Sequence, residues 1–381
     1  MKQLGGEPRH TTKLWHNLVL LGFSVGLALV AGEIAARLIL PGPVPWLYPQ
    51  ILYRTDPELV FTLAPDQVAF TADKPVRINS RKLRGPLFEF TPRPGYIRLL
   101  WLGDSIVFGF GVTDEEVVTR RVEDRLERRG VRTESINTAV PAYNTEQEVT
   151  FMALDGIRYH PDWVILGFCW NDINDQLGAR ICPNGWLVST TAGEGNCEPS
   201  FLESSKGYAI RNALKRSRLV YGVMEGVRAL HEEFSPDDHS LFRSEILEGR
   251  ETERVQAGWK RVEEAVHHLR VLGEKADFHA VIVAFPLPLA VERSYPRSEY
   301  PSRLRDIATR EGLPFLDLEP SFRRAYRGHE SLFIPYDADH PNAAGHDLAA
   351  REIADFLVAH RQAQAESARE GPYKTAVIKK P

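Results

Sequence analysis

Two stretches of this chain carry residue types that can do chemistry together. Gly103-Asp104-Ser105 follows the apolar run Ile97 to Leu102, and Asp337-x-x-His340-Pro341-Asn342 stands near the carboxyl end. A serine hydroxyl becomes a nucleophile when a base takes its proton and a third group orients that base. His340 can be that base. Asp337, three residues earlier, can bond its other ring nitrogen, so that one turn carries both groups. Asp339 is a rival orienter, but it is adjacent to His340 and its side chain is expected to point elsewhere. Taken alone, each stretch also has a plain reading. Gly-Asp-Ser makes ordinary turns, and Asp-x-x-His ahead of an apolar periodic stretch makes a helix cap.

Acyl chemistry through a serine needs donors aimed at the developing oxyanion. Three candidates follow apolar strands: the Ser105 backbone N–H, a backbone N–H in the turn around Ala142, and the side-chain amide of Asn171. Asn171-Asp172 taken alone is equally a strand-ending turn. His340 and His346 with Asp337 and Asp339 do not have the spacing of a zinc site, and the adjacent His267 and His268 point in different directions on a helix. No metal is expected. There is no Gly-x-x-x-x-Gly-Lys loop and no Gly-x-Gly-x-x-Gly after the first strand. Gly103 stands two before Ser105, but Val107 stands two after it, which argues against the Gly-x-Ser-x-Gly elbow of α/β-hydrolases.

Elements with alternating periods must position these residues. Apolar runs predict strands at Ile97–Leu102, Thr133–Thr138, Trp163–Phe168, Ala280–Phe285 and Pro314–Leu316. Helical patterns run from Glu116 to Arg129, with Val118, Val122 and Leu126 inward, and from Thr145 to Tyr159, capped by Thr145 or Asn144. Others run from Glu251 to Leu272, ended by Gly273, from Tyr300 to Arg310, and from Ala343 to Ala359. Strands alternating with helices predict a parallel sheet with helices on both faces. Residues 176–249 break this rhythm and read as an insertion that walls or covers the site, helical from Tyr208 to Phe234. Residues 41–95 form a membrane-proximal segment with a strand at Val76–Asn79 and a turn at Leu83-Arg84-Gly85-Pro86. Residues 361–381 are polar and predict a disordered tail.

The chain has 381 residues and a net charge of −4, which shows no nucleic-acid footprint. Leu18 to Gly32 is uncharged within an apolar stretch from residue 14 to residue 40, enough to cross a bilayer. Glu33 and Arg37 interrupt it and can pair four residues apart. Lys2, Arg9 and Lys13 precede it, so residues 1–13 are expected in the cytoplasm and the remainder on the extracytoplasmic side. A signal peptide cleaved near Val30-Ala31-Gly32 is the rival reading; the length of the apolar stretch favours an uncleaved anchor. Cys182 and Cys197 either form a disulfide, contributing about 3 kcal/mol in the chain-entropy model, or remain thiols. Cys169 reads as a packed small hydrophobe.

The order Gly103-Asp104-Ser105, Ala142, Asn171-Asp172, Asp337-x-x-His340 resembles the SGNH (GDSL-type) hydrolase superfamily, whose four blocks carry Ser, Gly, Asn and His. The likeness covers residues 96–360 apart from the insertion. Its first and last blocks match most fully, with Gly109 and Gly345 in place. Gly167 stands four before Asn171 rather than two, and Ala142 stands where the family has an oxyanion glycine. If that turn needs positive φ, alanine costs about 1 kcal/mol or more. The resemblance implies a flavodoxin-like α/β/α sandwich of about five parallel strands. It implies Ser105 as nucleophile, His340 as base, Asp337 as orienter, and ester or acyl chemistry without metal or cofactor. A weaker likeness to membrane-anchored members, in Asn79-Ser80 and Arg84-Gly85, suggests acetylated envelope or exported polysaccharide as substrate. The expected activity is that of a serine esterase. An O-acyltransferase of the same fold and a non-catalytic glycan-binding protein are the alternatives.

Overall fold

The structure, a computed structural model, describes residues 9–174, 179–189, 197, 204–292, 299–326, 328 and 330–370. Its centre is a five-stranded parallel sheet: β1 (Ile97–Gly103), β2 (Thr133–Asn137), β3 (Trp163–Phe168), β4 (His279–Ala284) and β5 (Phe315–Asp317). Their order across the sheet is β2-β1-β3-β4-β5. This is the flavodoxin-like order, which places a switch point between β1 and β3. β1 and β3 are buried along almost their whole length, as strands covered on both faces must be. The five expected strands are all present, each within a residue or so of its expected bounds.

Helices flank the sheet to make the α/β/α sandwich. The N-terminal helix α1 (Arg9–Ile39) precedes it. α2 (Val118–Glu127) packs on β2 and on the last helix α7 (Ala343–Glu370), burying Val118, Val122 and Leu126 as the periodicity requires. α3 (Thr145–Leu154), α5 (Glu253–Ala276) and α6 (Tyr300–Arg310) pack together, and α4 (Arg218–Phe234) lies outside the sandwich against α1.

Four expectations need correction. The helix after residue 145 ends at Leu154, and a separate tight turn covers Gly156–Tyr159. α5 does not stop at Gly273 but runs to Ala276, with Asp277 in the left-handed conformation as its cap. Gly273 is there for close packing, since a Cβ on it would lie 2.9 Å from the Phe278 carbonyl oxygen. The expected helix from Tyr208 to Phe234 is two helices, Ser205–Lys215 and α4, because the Ser217 hydroxyl accepts the Val220 N–H and starts a new helix. α7 continues to Glu370, past the expected start of the tail at residue 361; Gln362 to Glu370 contains good helix formers and no Gly or Pro. Residues 371–381 lie outside the described residues.

Residues 41–95 contain more order than one strand. They form two antiparallel hairpins, Tyr53–Asp56 with Val60–Leu63 and Gln67–Thr71 with Lys74–Ile78. Phe61 and Leu63 are fully buried in the same core as the sheet, and the Tyr143 hydroxyl donates to the Phe61 carbonyl at 2.7 Å. Cys182 and Cys197 form a disulfide within the insertion, and Cys169 is a buried thiol. Parts of the insertion lie outside the described residues.

At the switch point the sheet leaves no spare volume. Gly103 of β1 pairs with Gly167 of β3. A Cβ on Gly103 would come within 2.4 Å of Val107 Cγ2, and one on Gly167 within 2.3 Å of the same atom. The helical turn carrying Val107 therefore seats directly on two glycines. Gly167→Ala is expected to cost about 1–3 kcal/mol as overpacking, read by urea unfolding. Adding Val107→Ala should recover part of it, so that the double variant loses less than the two single variants summed. A Gly167→Ala protein as stable as wild type would show that this contact does not constrain the turn.

Candidate active site

Ser105 opens a short helical turn, Ser105–Phe108, directly after β1. The Asp104 carboxylate caps it by accepting the Ile106 N–H at 2.8 Å. Gly109 ends it in the left-handed conformation with φ 90°. Arg84, buried on its whole side chain, grips the following loop: it donates to the carbonyls of Phe108, Gly109 and Val112 and pairs with Asp114 at 2.8 Å. Asn79 shapes the loop that aims Arg84, accepting from the N–H groups of Arg81 and Leu83 and donating to the Gly85 and Pro86 carbonyls. Asn137, on β2, donates to the Val107 carbonyl at 3.1 Å. The turn is thus capped at its start by its own neighbour Asp104 and held at its end by Arg84 and Asn137.

His340 arrives from the opposite end of the chain. Asn342 caps α7 through the N–H groups of Ala344 and Gly345 and donates to the carbonyls of Ser331 and Phe333, which fixes the loop before the helix. Within that loop His340 Nε2 lies 2.8 Å from Ser105 Oγ, and His340 Nδ1 lies 2.8 Å from Asp337 Oδ1. The same Asp337 oxygen accepts the N–H groups of Asp339 and His340. Asp339 turns away, as expected, and accepts from Trp170 Nε1 at 3.0 Å. Phe110 lies against the imidazole, with ring centroids 4.6 Å apart. The structure therefore brings together Ser105, His340 and Asp337, residues that the sequence separates by more than two hundred positions.

Electrostatics favour a proton-accepting imidazole. Burial pushes the His340 pKa down, but the hydrogen bond and charge of Asp337 outweigh it, with Asp339 and Asp104 adding to them, and the net shift is upward. Burial likewise pushes Asp337 up, and its bond to His340 and the two backbone N–H groups bring it below the ordinary carboxylate value. Deeper in, Asp104, Glu148 and Asp172 are all raised by burial, the last two strongly, because each also faces another carboxyl. His346 takes no part: it is buried between α7 and α2, its Nδ1 accepts the Val118 N–H, and burial lowers its pKa to about 3.

The three oxyanion candidates are placed as follows. The turn after β2 is tied to β1 by Val140 N–H donating to the Gly103 carbonyl at 3.1 Å. Ala142 sits in it at φ 73°, so the turn does demand the left-handed conformation, and the alanine adopts it. Among the described residues neither the Ser105 N–H nor the Ala142 N–H has an acceptor. Asn171 lies in a tight turn after β3, and its Nδ2 donates to Asp104 Oδ2 at 2.7 Å. One of its two amide hydrogens is thereby committed to Asp104.

Residues that the sequence reading missed are Phe110, Trp170 and Asn137. Nothing in their local pattern distinguishes them from core residues, since each matters through a partner far away in the chain. The insertion does wall a cleft of about 370 Å³ beside Asp337 and Phe110, contributing Lys215, Tyr221 and Arg228, with Trp46 and Tyr336 opposite.

Two outcomes are expected. In an NMR titration the His340 ring should have its midpoint above 6.5, the ordinary histidine value, and Asp337→Asn should lower it, because the largest opposition to burial is then removed and only Asp339 and Asp104 remain. A midpoint that ignores Asp337→Asn would break the assigned coupling. Ala142→Gly should raise the unfolding free energy by about 1 kcal/mol in thermal or urea melts, since glycine takes φ 73° without strain.

The chain matches the GDSL-like Lipase/Acylhydrolase family over residues 101–348. No curated protein matches it. Solved structures similar to it include the acetyl xylan esterase AlAXEase, with 13% identity, TM-score 0.39, and coverage of 68% of this chain and 100% of that one. The acetylxylan esterase Axe2 from Geobacillus stearothermophilus gives 14% identity, TM-score 0.38, and coverage of 68% and 92%. TesA gives 12% identity, TM-score 0.39, and coverage of 68% and 97%. With the family match spanning the sheet, the Ser105 turn and the His340 loop, this chain belongs to the GDSL-like lipase/acylhydrolase family.

Proposed function

We propose that the protein is a membrane-anchored serine esterase that works through a covalent acyl-enzyme. The observation that carries this reading is the pair of 2.8 Å hydrogen bonds linking Ser105 Oγ to His340 Nε2 and His340 Nδ1 to Asp337 Oδ1. Ser105 Oγ attacks the ester carbonyl carbon while His340 Nε2 takes its proton. Asp337 holds the ring orientation and stabilises the imidazolium that forms. The tetrahedral oxyanion faces the free N–H groups of Ser105 and Ala142 and the second amide hydrogen of Asn171. Collapse expels the alcohol, which receives the proton from His340. A water then attacks the acyl-Ser105 carbonyl, with His340 again as base, and the carboxylate leaves. If a second alcohol takes the place of water, the same two steps transfer the acyl group.

The raised His340 pKa suits this sequence. The base must be neutral to accept a proton, so the rate falls as pH drops through that pKa. The anchor is α1: its residues Leu14–Ile39 are long and apolar enough to cross a membrane, and Lys2, Arg9 and Lys13 on its amino side orient the domain outward. As substrate we favour an O-acetylated envelope or exported glycan. The aromatic rings of Trp46, Tyr221 and Tyr336 with the cations of Lys215 and Arg228 give the cleft both flat apolar faces and donors for a hydroxyl-rich ligand.

The test is turnover of 4-nitrophenyl acetate and longer acyl esters by the full chain in detergent. Ser105→Ala and His340→Ala should each lower kcat about 10³-fold or more, and the two together no further than either alone. Added alcohol acceptors separate hydrolysis from transfer by the product formed. Folded wild type with no turnover above Ser105→Ala, on any ester or acceptor, would overturn the proposal.

A further inference from the structure

α4 is a helix that hides none of its residues. It has 17 residues, none of them buried. Val220, Val223, Val227, Leu230 and Phe234 are 42–81% exposed. At about 100° per residue these five fall within roughly 80° of arc. Tyr221, Glu225 and Arg228 lie on another side of the helix and line the cleft beside Asp337. Leu219 and Gly222 form a third side, which meets α1: a Cβ on Gly32 would lie 3.1 Å from Leu219 Cδ2, and one on Gly222 would lie 2.5 Å from Leu40 Cδ1. A short helix with so little burial has little of its own to hold it together, and its apolar stripe calls for a second apolar phase.

The contact with α1 says which phase is at hand. The Glu33 carboxylate accepts the Ser217 hydroxyl at 2.7 Å and the N–H groups of Arg218 and Leu219 at 3.2 and 3.1 Å, and so caps α4 from outside. Arg218 in turn donates to the Arg37 and Leu40 carbonyls, and Arg37 donates to the Arg216 carbonyl. The apolar part of α1 begins at Leu14. A hydrocarbon core of about 30 Å takes about 20 residues at 1.5 Å each, which brings the chain to Glu33. Wherever α1 leaves the hydrocarbon, α4 is fastened.

We propose that α4 is an interfacial membrane helix, its Val220–Phe234 stripe lying in the lipid headgroup boundary while its opposite side walls the cleft beside Asp337. This rests on the reading that α1 spans a bilayer. It makes the cleft open at the membrane surface, so that the acyl esters within reach are those held close to that surface.

The test uses the full chain in vesicles of phosphatidylcholine and phosphatidylglycerol, carrying a bimane label on single cysteines introduced as Val223→Cys, Val227→Cys, Glu232→Cys or Leu20→Cys. These sites are exposed, so the substitutions leave packing intact. Lipids with a nitroxide near the headgroup should quench the labels at 223 and 227 but not at 232, as an apolar face sunk ~5–10 Å requires. The label at 20 should be quenched by a nitroxide deep in the acyl chain. Quenching at 20 without quenching at 223 and 227 overturns the proposal and leaves the anchor standing. Labels that stay unquenched at 223 and 227, while the unlabelled Val223→Cys and Val227→Cys chains form intermolecular disulfides on oxidation, show a second copy of this chain on the stripe, and also overturn it. No quenching at 20 removes the anchor and the proposal together.

Discussion

The turn that carries Ser105 has to fit over two strands that touch. Val107 stands over the glycine pair Gly103 and Gly167, and there is no room for a methyl group on either. This contact sets the height of Ser105 above the sheet. Other groups then act on a turn whose position is already fixed: Asp104 caps it, Arg84 and Asn137 hold its carbonyls, and Asn171 reaches Asp104 from the neighbouring strand end. A serine on a loose loop would lose the alignment with His340 on which the proposed proton transfer depends.

The charge around the site is uneven. Asp104, Asp172 and Glu148 lie buried behind the serine, and Asp337 and Asp339 lie on the histidine side. The deep carboxyls are pushed toward their neutral forms by burial and by one another. Asp337 is the exception, because it gathers the imidazole and two backbone N–H groups. One histidine is thereby held ready to take a positive charge, while His346, fully buried, near Arg84 and without a carboxylate, is held neutral. Environment separates two imidazoles six residues apart.

Much of this was legible in the sequence. The five core strands are short apolar runs between turn residues, and the order of Ser105, Ala142, Asn171 and His340 points to strand ends in a parallel sheet. The positive φ at Ala142 follows from a turn in which a glycine is the usual occupant. What stayed hidden depends on distant contacts. The hairpins between residues 53 and 78 are strands of four and five residues, too short for a clear period of two, and they gain their burial from the domain they cover. Gly273 looks like a helix stop because the carbonyl of Phe278 that it accommodates cannot be read from local sequence. Arg84 shows only as part of a motif; its four acceptors lie 24 to 30 residues further on.

The hydrogen bond between Ser105 and His340 joins residues 235 positions apart. A ribosome adding about 5–20 residues per second makes the serine roughly 10–50 s before the histidine. The other four strands of the sheet, β2 to β5, are synthesised in that interval, while Ser105 has no His340 to bond. Under the proposed mechanism the hydroxyl gains its reactivity only when the last loop closes over a finished domain, so a nascent or truncated chain would carry an inert serine.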